Sequence, residues 1–256
     1  HSYQAERPGR RPASSWSPST TSSSWWRSLQ PDVGVVMVAA GQGRRAGGAQ
    51  PKQFRALAGV PMLLRALRPF TSHPAVCHTV VALPPADVAR PPDWLACLQG
   101  GSLSVVAGGV ERSDSVAAAL VALPADCAIV LVHDAARPLI PRELIDAVIA
   151  VARQGFGAVP ALPLTDTVKE SDRDEGELRV VRTLPRQRLW RAQTPQGFPR
   201  PMLEAAYAAA RREGATATDD AGLVERLGQV VRLVPGSPRN LKVTTEEDFR
   251  LAEQLL

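Results

Sequence analysis

Residues 35–52 read VVMVAAGQGRRAGGAQPK, an apolar segment that continues into a Gly- and Arg-rich loop and ends at a lysine. The apolar segment has the composition of a buried β-strand. Gly41 and Gly43 allow the backbone to turn sharply and to expose N–H groups, which bind phosphate oxygens. Arg44, Arg45 and Lys52 add positive charge, and phosphoryl transfer is catalysed mainly by positioning and charge neutralisation. The stretch therefore predicts a strand followed by an anion-binding loop.

The same loop, at residues 41–46, satisfies the G-x-G-x-x-G/A pattern of dinucleotide-binding folds. That pattern expects an acidic residue about 20 positions later to hold the ribose hydroxyls. No Asp or Glu occurs between Val33 and Ala86, which argues against a nicotinamide cofactor. A Walker A loop does not fit either, because no Gly-Lys-Ser/Thr follows the glycines. Taken alone, the glycines also fit an ordinary strand-to-helix turn with solvated arginines.

The chain has 256 residues, of which 45% are hydrophobic, and can bury a substantial core. We therefore expect one large α/β domain over residues 31–256 rather than two small domains. The longest apolar runs have the length of strands, far below the ~20 residues that a bilayer span requires. No membrane segment is predicted.

Residues 1–30 differ from the rest in being rich in Ser, Pro and Arg. Such a segment cannot bury enough surface to offset its chain entropy, so we expect a disordered leader or an added or misassigned upstream extension. It lacks both an initiator Met and an apolar h-region, so we do not expect a secretory signal. Its four Arg and one Glu supply +3 of the formal charge of +5, and the remaining +2 gives no support for nucleic-acid binding.

Three cysteines, Cys77, Cys97 and Cys127, are far apart in the sequence and have neither metal-ligand nor redox spacing. We interpret them as small core residues of a protein in a reducing cytosol.

Strand-like and helix-like segments alternate along the chain. Strands are predicted at 33–39, 79–83, 103–106, 129–133, 157–161 and 230–234, and helices at 62–70, 87–98, 113–123, 142–153 and 200–227. This alternation predicts right-handed crossovers and a mainly parallel sheet that is covered on both faces. Ligands bind such sheets at the carboxyl ends of the strands.

The carboxyl ends of the predicted strands carry the unusual residues. The first strand leads into the Gly/Arg loop, the third into GGVERSDS at 108–115 and the fourth into HDAARP at 133–138. We expect one crevice to collect all three segments.

The polar segment 165–188 interrupts the alternation. It contains two β-like pieces, 166–169 and 178–183, joined by SDRDEG at 171–176. This pattern predicts a β-hairpin arm. An isolated hairpin is marginally stable in water, so the arm needs a surface to pack on, and another subunit is the simplest candidate.

With these segments assembled, residues 33–256 resemble the 2-C-methyl-D-erythritol 4-phosphate cytidylyltransferases of the non-mevalonate isoprenoid pathway. The matching pieces are AAGxGxR at 39–45, PKQ at 51–53, GGxxRxxSV at 108–116, VHDAARP at 132–138, DTVK at 166–169, TPQ at 194–196, ATDD at 217–220 and NLKVT at 240–244. The first piece alone would indicate only the wider nucleotidyltransferase group. The set together is specific for the family.

The resemblance implies a three-layer αβα, Rossmann-like nucleotidyltransferase fold and the reaction of CTP with methylerythritol phosphate, in the presence of Mg²⁺, to the CDP-linked product and pyrophosphate. It implies catalytic roles for Arg45 and Lys52, which would stabilise charge on the α-phosphorus and on the leaving group. Asp134 would contact Mg²⁺. The nucleotide would be held by Ala39, Ala40, Gly41, Gly43, Gly108 and Ser115. The second substrate would be held by Arg137, Thr167, Arg186, Thr194, Thr218 and Lys242.

By the same resemblance, the enzyme is a cytoplasmic homodimer formed through the arm, and the partner subunit supplies Thr167 and Arg186. His133 is interpreted as structural. Many relatives carry an acidic residue at the position of Val110. If that acidic side chain contacts the ribose, the contact is lost here; if the contact is made by the backbone, nothing changes. Leu184-Pro185 is a second local difference. No cyclodiphosphate synthase domain follows Leu256, so we expect a single activity.

Two alternatives stay open from the sequence. A cytidylyltransferase for another polyol phosphate, such as ribitol 5-phosphate, would share the CTP half of the site and differ in the arm and the acceptor pocket. A nucleotide-binding module without catalysis would leave the charges of Arg45 and Lys52 unexplained.

Overall fold

The computed structural model describes residues 31–41, 51–174 and 176–256. Its strands, in chain order, are β1 (Val33–Val38), β2 (Ala56–Leu57), β3 (Val60–Pro61), β4 (Val76–Leu83), β5 (Leu103–Ala107), β6 (Ile129–Asp134), β7 (Gly157–Pro163), β8 (Val168–Asp174), β9 (Glu177–Leu184), β10 (Trp190–Ala192), β11 (Gln196–Pro199) and β12 (Val231–Pro235). Its α-helices are α1 (Met62–Thr71), α2 (Pro85–Ala89), α3 (Asp93–Ala96), α4 (Arg112–Ala122), α5 (Arg142–Arg153), α6 (Arg200–Glu213), α7 (Asp220–Arg226) and α8 (Glu246–Gln254).

An eight-stranded sheet forms the centre of the fold. Its order is β10-β7-β11-β6-β1-β4-β5, with β12 also paired to β7. The strands β6, β1, β4 and β5 are parallel to one another, and β12 is parallel to β7. The short strands β10 and β11 run antiparallel to their neighbours. The mainly parallel α/β sheet that the sequence predicts is therefore confirmed.

Both faces of the sheet are covered by helices, as the alternation predicts. Along β1, Val35 and Met37 pack into a core cluster that also contains side chains of α1 and α5. Val36 points to the opposite face, into a second cluster with side chains of α4, α6 and α7. Successive residues of a strand point to opposite faces, so a continuous apolar run is what a doubly covered strand requires.

Two predictions of a single long helix were wrong, because each of these segments forms two shorter helices. The predicted helix 87–98 is divided into α2 and α3, because Pro91 and Pro92 lack the N–H groups that would continue the helix. The predicted helix 200–227 is divided into α6 and α7. Gly214 ends α6 in a left-handed conformation, and the Asp219 side chain caps α7 by accepting a hydrogen bond from the Gly222 N–H.

The hairpin arm is confirmed as an antiparallel pair of β8 and β9, forming a sheet of its own. The predicted connection at 171–176 was too long, because residues 171–174 belong to β8. The side chains of β9 are exposed from Glu177 to Thr183, including Leu178, Val180 and Val181 at 72%, 62% and 60%. The arm therefore buries almost none of its own apolar surface.

Residues Pro31–Leu256 group into one compact unit. The predicted leader, 1–30, and residues 42–50 of the Gly/Arg loop lie outside the described residues. Within the described part of the chain, no helix combines the length and apolar character needed to cross a membrane.

Candidate active site

A cleft of about 490 Å³ opens at the carboxyl ends of β1, β5 and β6. This is the edge of the sheet where the sequence places its unusual segments. The cleft is lined by Val38, Ala39, Ala40, Gly41, Lys52, Gln53, Met62, Gly109, Val110, Glu111, Arg112, Ser115, Asp134, Ala135, Ala136, Lys242 and Thr244.

Gly108 allows the loop after β5 to lie directly against the loop after β1. A Cβ atom at this position would lie 2.4 Å from the Ala40 Cβ and 2.7 Å from the Ser115 Oγ, distances that packed atoms do not adopt. The Gly108 N–H donates to the Leu83 carbonyl at 2.7 Å and fixes the loop on the sheet edge. The glycine is thus required by close packing rather than by an unusual backbone angle.

The Ser115 hydroxyl organises the loop after β5. It accepts a hydrogen bond from the Gly109 N–H and donates to the Glu111 carbonyl, both at 3.2 Å. Glu111 and Asp114 add a reciprocal capping box at the start of α4. Val110, next to these residues, is 96% exposed at the edge of the cleft. Its side chain therefore holds no part of the loop in place.

Lys52 begins a short 3-10 helix, Lys52–Phe54, and lines the cleft. Its Nζ donates to the Val243 carbonyl at 2.8 Å. Helix α8 supports the same segment, because Arg55 pairs with Glu246 at 2.8 Å and its guanidinium lies 4.1 Å from the centre of the Phe249 ring. The position of the Lys52 ammonium therefore depends on the C-terminal part of the chain.

Asp134, at the end of β6, forms two ion pairs inside the cleft. Its Oδ1 lies 3.2 Å from Arg112 Nε and its Oδ2 lies 2.7 Å from Lys242 Nζ. Burial alone would raise the pKa of this carboxyl group, but the charges of Arg112 and Lys242 outweigh burial and hold the pKa well below its usual value. Asp134 is therefore a carboxylate at neutral pH.

Arg112 connects Asp134 with a second, fully buried carboxyl group. Its NH1 lies 2.8 Å from Asp220 Oδ2, and Tyr207 donates its hydroxyl to Asp220 Oδ1 at 2.6 Å. Burial disfavours the guanidinium charge, yet the two carboxylates outweigh burial and raise the pKa of Arg112. Arg112 is thus a fixed cation at the junction of β6, α4 and α7.

A hydrogen-bond chain beneath the cleft fixes the backbone of Asp134. The Asp134 N–H donates to Thr194 Oγ1 at 3.0 Å, and Thr194 Oγ1 lies 3.1 Å from His133 Nδ1. His133 Nε2 lies 3.1 Å from the Arg137 carbonyl, which only accepts, so Nε2 carries the proton and Nδ1 accepts from Thr194. Complete burial lowers the pKa of His133 to about 4. His133 is a neutral structural residue, in line with its interpretation from the sequence.

Comparison with known proteins decides the family. The family model described as IspD, 2-C-methyl-D-erythritol 4-phosphate cytidylyltransferase, matches residues 33–256. The chain belongs to this family.

Named relatives and a solved structure agree with this result. The chain is 52% identical over 227 residues to the 2-C-methyl-D-erythritol 4-phosphate cytidylyltransferase of Frankia casuarinae, covering 88% of this chain and 82% of that protein. It is 45% identical to the protein of the same name from Salinibacter ruber, covering 87% of this chain and 92% of that protein. The crystal structure of the Thermus thermophilus cytidylyltransferase matches with a TM-score of 0.70 at 39% identity, covering 86% of this chain and 97% of that chain.

Seven of the residues expected from the family resemblance line the cleft together. They are Ala39, Ala40, Gly41, Lys52, Ser115, Asp134 and Lys242. Gly108 lies directly behind the cleft, and its neighbour Gly109 lines it. Gly43 and Arg45 lie in 42–50, outside the described residues. Their assignments stay predictions.

The other expected residues lie away from the cleft lining. Thr194 is buried below Asp134, and Arg137 donates to the carbonyls of Asn240 and Ala192. Thr218 lies just before α7. Thr167 and Arg186 are exposed at the base of the arm, where Arg186 donates to the Thr165 carbonyl. All five stay predictions as substrate contacts.

Sequence reasoning missed the network that holds Asp134. Arg112 is part of the GGxxRxxSV motif and Asp220 of the ATDD motif, yet neither was assigned a role. The sequence did contain a signal for this network: Arg112 directly precedes a predicted helix, and the acidic pair Asp219-Asp220 could neutralise its charge. Sequence spacing could not reveal that the groups meet, because the contacts span 22 and 108 positions for Arg112–Asp134 and Lys242–Asp134.

Proposed function

We propose that this protein transfers the cytidylyl group of CTP to 2-C-methyl-D-erythritol 4-phosphate, forming 4-diphosphocytidyl-2-C-methyl-D-erythritol and pyrophosphate for isoprenoid precursor biosynthesis. The observation that carries the proposal is the cleft itself. Arg112 and Lys242 pair with Asp134 there, and Lys52 lines the same cleft, next to the two loops that the family motifs supply. Such a cluster of cations suits a triphosphate and a phosphate monoester that must approach each other.

In this reaction a phosphate oxygen of the acceptor attacks the α-phosphorus of CTP in line, and the bond to pyrophosphate breaks. The acceptor provides the nucleophile, so no protein side chain needs to form a covalent intermediate. Negative charge grows on the α-phosphoryl oxygens and on the leaving pyrophosphate. Lys52 and Arg45 stabilise this charge, and groups placed before the reaction do so without further reorganisation.

Cytosine and ribose are held by the backbone and side chains of the two loops, at Ala39, Ala40, Gly41, Gly43, Gly108 and Ser115. The close contact of Gly108 with Ala40 supports this assignment, because it fixes both loops relative to each other. Backbone donors and acceptors that match cytosine leave a polar group unpaired when uracil enters. The site therefore prefers CTP to UTP.

Asp134 is the ligand that we propose for Mg²⁺. Its carboxylate is ionised, lines the cleft and offers the oxygen donors that Mg²⁺ prefers. The ion pairs with Arg112 and Lys242 leave acceptor sites of the two oxygens available, since a carboxylate has about four. When bound, Mg²⁺ would neutralise charge on the triphosphate.

The acceptor site is shared between two subunits. Arg137, Thr194, Thr218 and Lys242 come from one chain, whereas Thr167 and Arg186 come from the arm of the partner. The exposed apolar residues Leu178, Val180 and Val181 support a role of the arm in dimerisation, since such a surface is stabilised by a partner. A cytoplasmic location of the dimer completes the proposal.

The acceptor can be tested by measuring pyrophosphate release from CTP and Mg²⁺ with a panel of polyol phosphates. We expect the highest kcat/KM with methylerythritol phosphate. A higher value with ribitol 5-phosphate would favour the alternative cytidylyltransferase. CTP binding without turnover on any acceptor would identify a nucleotide-binding module instead.

A further inference from the structure

Two thiols lie in contact at the end of the sheet opposite the cleft. Cys77 is the second residue of β4, and Cys127 precedes β6 by two residues. Their Sγ atoms are 2.9 Å apart, closer than the ordinary contact distance of two sulfur atoms. The strands β4 and β6 are not neighbours, because β1 lies between them. The contact therefore crosses a strand and needs a structural explanation.

Two local features allow the contact. The pairing of β1 with β4 shifts after Val33, since Val33 pairs with Val76 and Gly34 pairs with His78. Cys77 is therefore the extra residue of a bulge, which redirects its side chain. On β1, a Cβ atom at Gly34 would lie 2.8 and 3.0 Å from the methyl groups of Leu123 and 3.1 Å from the Cys127 Cβ. The absence of a side chain at Gly34 thus leaves room for Leu123 and Cys127 to pack directly on β1.

The two thiols differ in their access to solvent. Cys127 is completely buried, whereas Cys77 is half-buried and donates to the Val33 carbonyl at 3.2 Å. Burial, followed by the Cys77 contact, raises the pKa of the Cys127 thiol. A small oxidant reaches Cys77 first, and Cys127 is the thiol held next to it.

We propose that Cys77 and Cys127 form an oxidative modification site, which closes to an intramolecular disulfide when the protein meets a hydroperoxide. The disulfide would connect two strands on either side of β1 and close a loop of 50 positions. It would lie at the amino ends of β4 and β6, whereas the cleft lies at the carboxyl ends of the parallel strands. We therefore expect the modification to change stability rather than the geometry of the cleft.

The chemistry balances with one peroxide. Cys77 loses its proton to solvent and the thiolate attacks a peroxide oxygen, the O–O bond breaks, and Cys77 becomes a sulfenic acid while the leaving hydroxide or alkoxide takes up a proton to form water or an alcohol. The Cys127 sulfur then attacks the Cys77 sulfur, the S–O bond breaks, and the proton of Cys127 leaves with the oxygen as water. Two thiols lose two electrons in total, and hydrogen peroxide is reduced to two waters.

Asp126 makes a metal site the alternative to consider, since its carboxylate and the two sulfurs lie within 4.8 Å of one another. A structural Zn²⁺ site is almost always four-coordinate, whereas this group, among the described residues, offers three ligands, of which Asp126 is exposed. The direct contact of the two sulfur atoms therefore favours sulfur–sulfur chemistry.

The test uses the full chain with Cys97→Ser, because Cys77 and Cys97 fall on the same tryptic peptide, 66–112, whereas Cys127 falls on the separate tryptic peptide 113–142. The protein is treated with hydrogen peroxide in the presence of EDTA, alkylated after unfolding and digested without reduction. We expect a cross-linked pair of the Cys77 and Cys127 peptides, with a mass lower by two hydrogens, that disappears after reduction. The double variant Cys77→Ser/Cys97→Ser is the control and should keep Cys127 fully alkylated.

Thermal unfolding provides a second readout. A disulfide that closes this loop restricts the unfolded chain, so the oxidised protein should melt roughly 5 °C or more above the reduced protein, with no rise in the control. Oxidation of Cys77 to sulfinic acid while Cys127 is still alkylated would overturn the proposal. Full alkylation of both thiols after peroxide treatment would overturn it as well.

Discussion

At the scale of single residues, Lys52 is the described residue to which we assign the stabilisation of charge in the transition state. Its ammonium is held on the Val243 carbonyl at 2.8 Å, inside the cleft. Because the charge that it meets grows in the transition state, Lys52→Ala should lower kcat by roughly 10²-fold or more and weaken CTP binding much less. Steady-state kinetics together with a CTP binding isotherm separate the two effects.

Arg250→Ala is the matched control for Lys52→Ala. It also removes one cation, from an exposed position of α8, and should leave kcat unchanged. Turnover of Lys52→Ala close to that of the control would remove Lys52 from the catalytic group.

His133 gives a prediction on pH and stability. Its pKa is about 4 in the folded protein, against the ordinary histidine pKa of 6.5 that holds in an unfolded chain. Between these values the unfolded chain binds the additional proton, so stability falls as the pH drops from 6.5 to 4, by about 3 kcal/mol from this residue. Denaturant unfolding at a series of pH values, with EDTA present, measures the slope.

The variant His133→Gln tests the assignment of that slope. It keeps a donor for the Arg137 carbonyl and cannot titrate, so its stability should be lower at pH 7 but should change less between pH 6.5 and 4. An identical slope in both proteins would show that other groups cause the pH dependence.

At the scale of elements, the parallel strands and their order of appearance could be predicted from the sequence because their signals are local. β1, β4 and β6 are largely apolar runs, and a strand buried on both faces requires such a run. Strands β10 and β11 were missed, since three or four residues give too short a pattern to detect. Helix α8 was missed although Thr245 and Asp248 form a capping box at its start.

In the candidate site too, local sequence signals could be read and contacts between distant segments could not. The motifs predicted which loops meet, because parallel strands present their carboxyl ends at one edge. The Arg112–Asp134–Lys242 pairing and the support of Lys52 by the C-terminal part of the chain depend on contacts between distant segments. A single sequence contains no local pattern that predicts these long-range contacts.

The loop after β5 provides a prediction at this scale. In Gly108→Ala the new methyl group must displace the Ala40 loop or Ser115, since it would lie 2.4 and 2.7 Å from them. We expect a loss of stability of about 1–3 kcal/mol and a higher KM for CTP. Gly41→Ala is the control for stability, because no atom of the residues that the structure describes lies within 4 Å of its added Cβ. Equal stability of the two variants would contradict the packing argument.

At the scale of the whole molecule, the proposed acceptor site needs residues of two subunits. We expect Lys52→Ala and Arg186→Ala each to be inactive, and their subunits can be exchanged. If Arg186 acts across the interface, a mixed dimer has one site with both lesions and one intact site. Random reassortment of equal amounts should restore roughly a quarter of the wild-type activity, by C₂ symmetry counting.

Mass spectrometry of the intact mixture, with one variant isotopically labelled, verifies the exchange of subunits. If Arg186 serves its own subunit, every site in the mixture keeps one lesion. Verified exchange without recovered activity would therefore exclude the shared site.

Direct transfer moves the cytidylyl group from CTP to the acceptor phosphate in one displacement. The stereochemistry at the α-phosphorus reports on this step, with one diastereomer of the α-thio analogue of CTP, methylerythritol phosphate and Mg²⁺, followed by ³¹P NMR. One in-line displacement inverts the configuration, so we expect an inverted diphosphate product together with an equal amount of pyrophosphate. Retention would require two displacements through a nucleotide bound covalently to the protein and would exclude direct transfer.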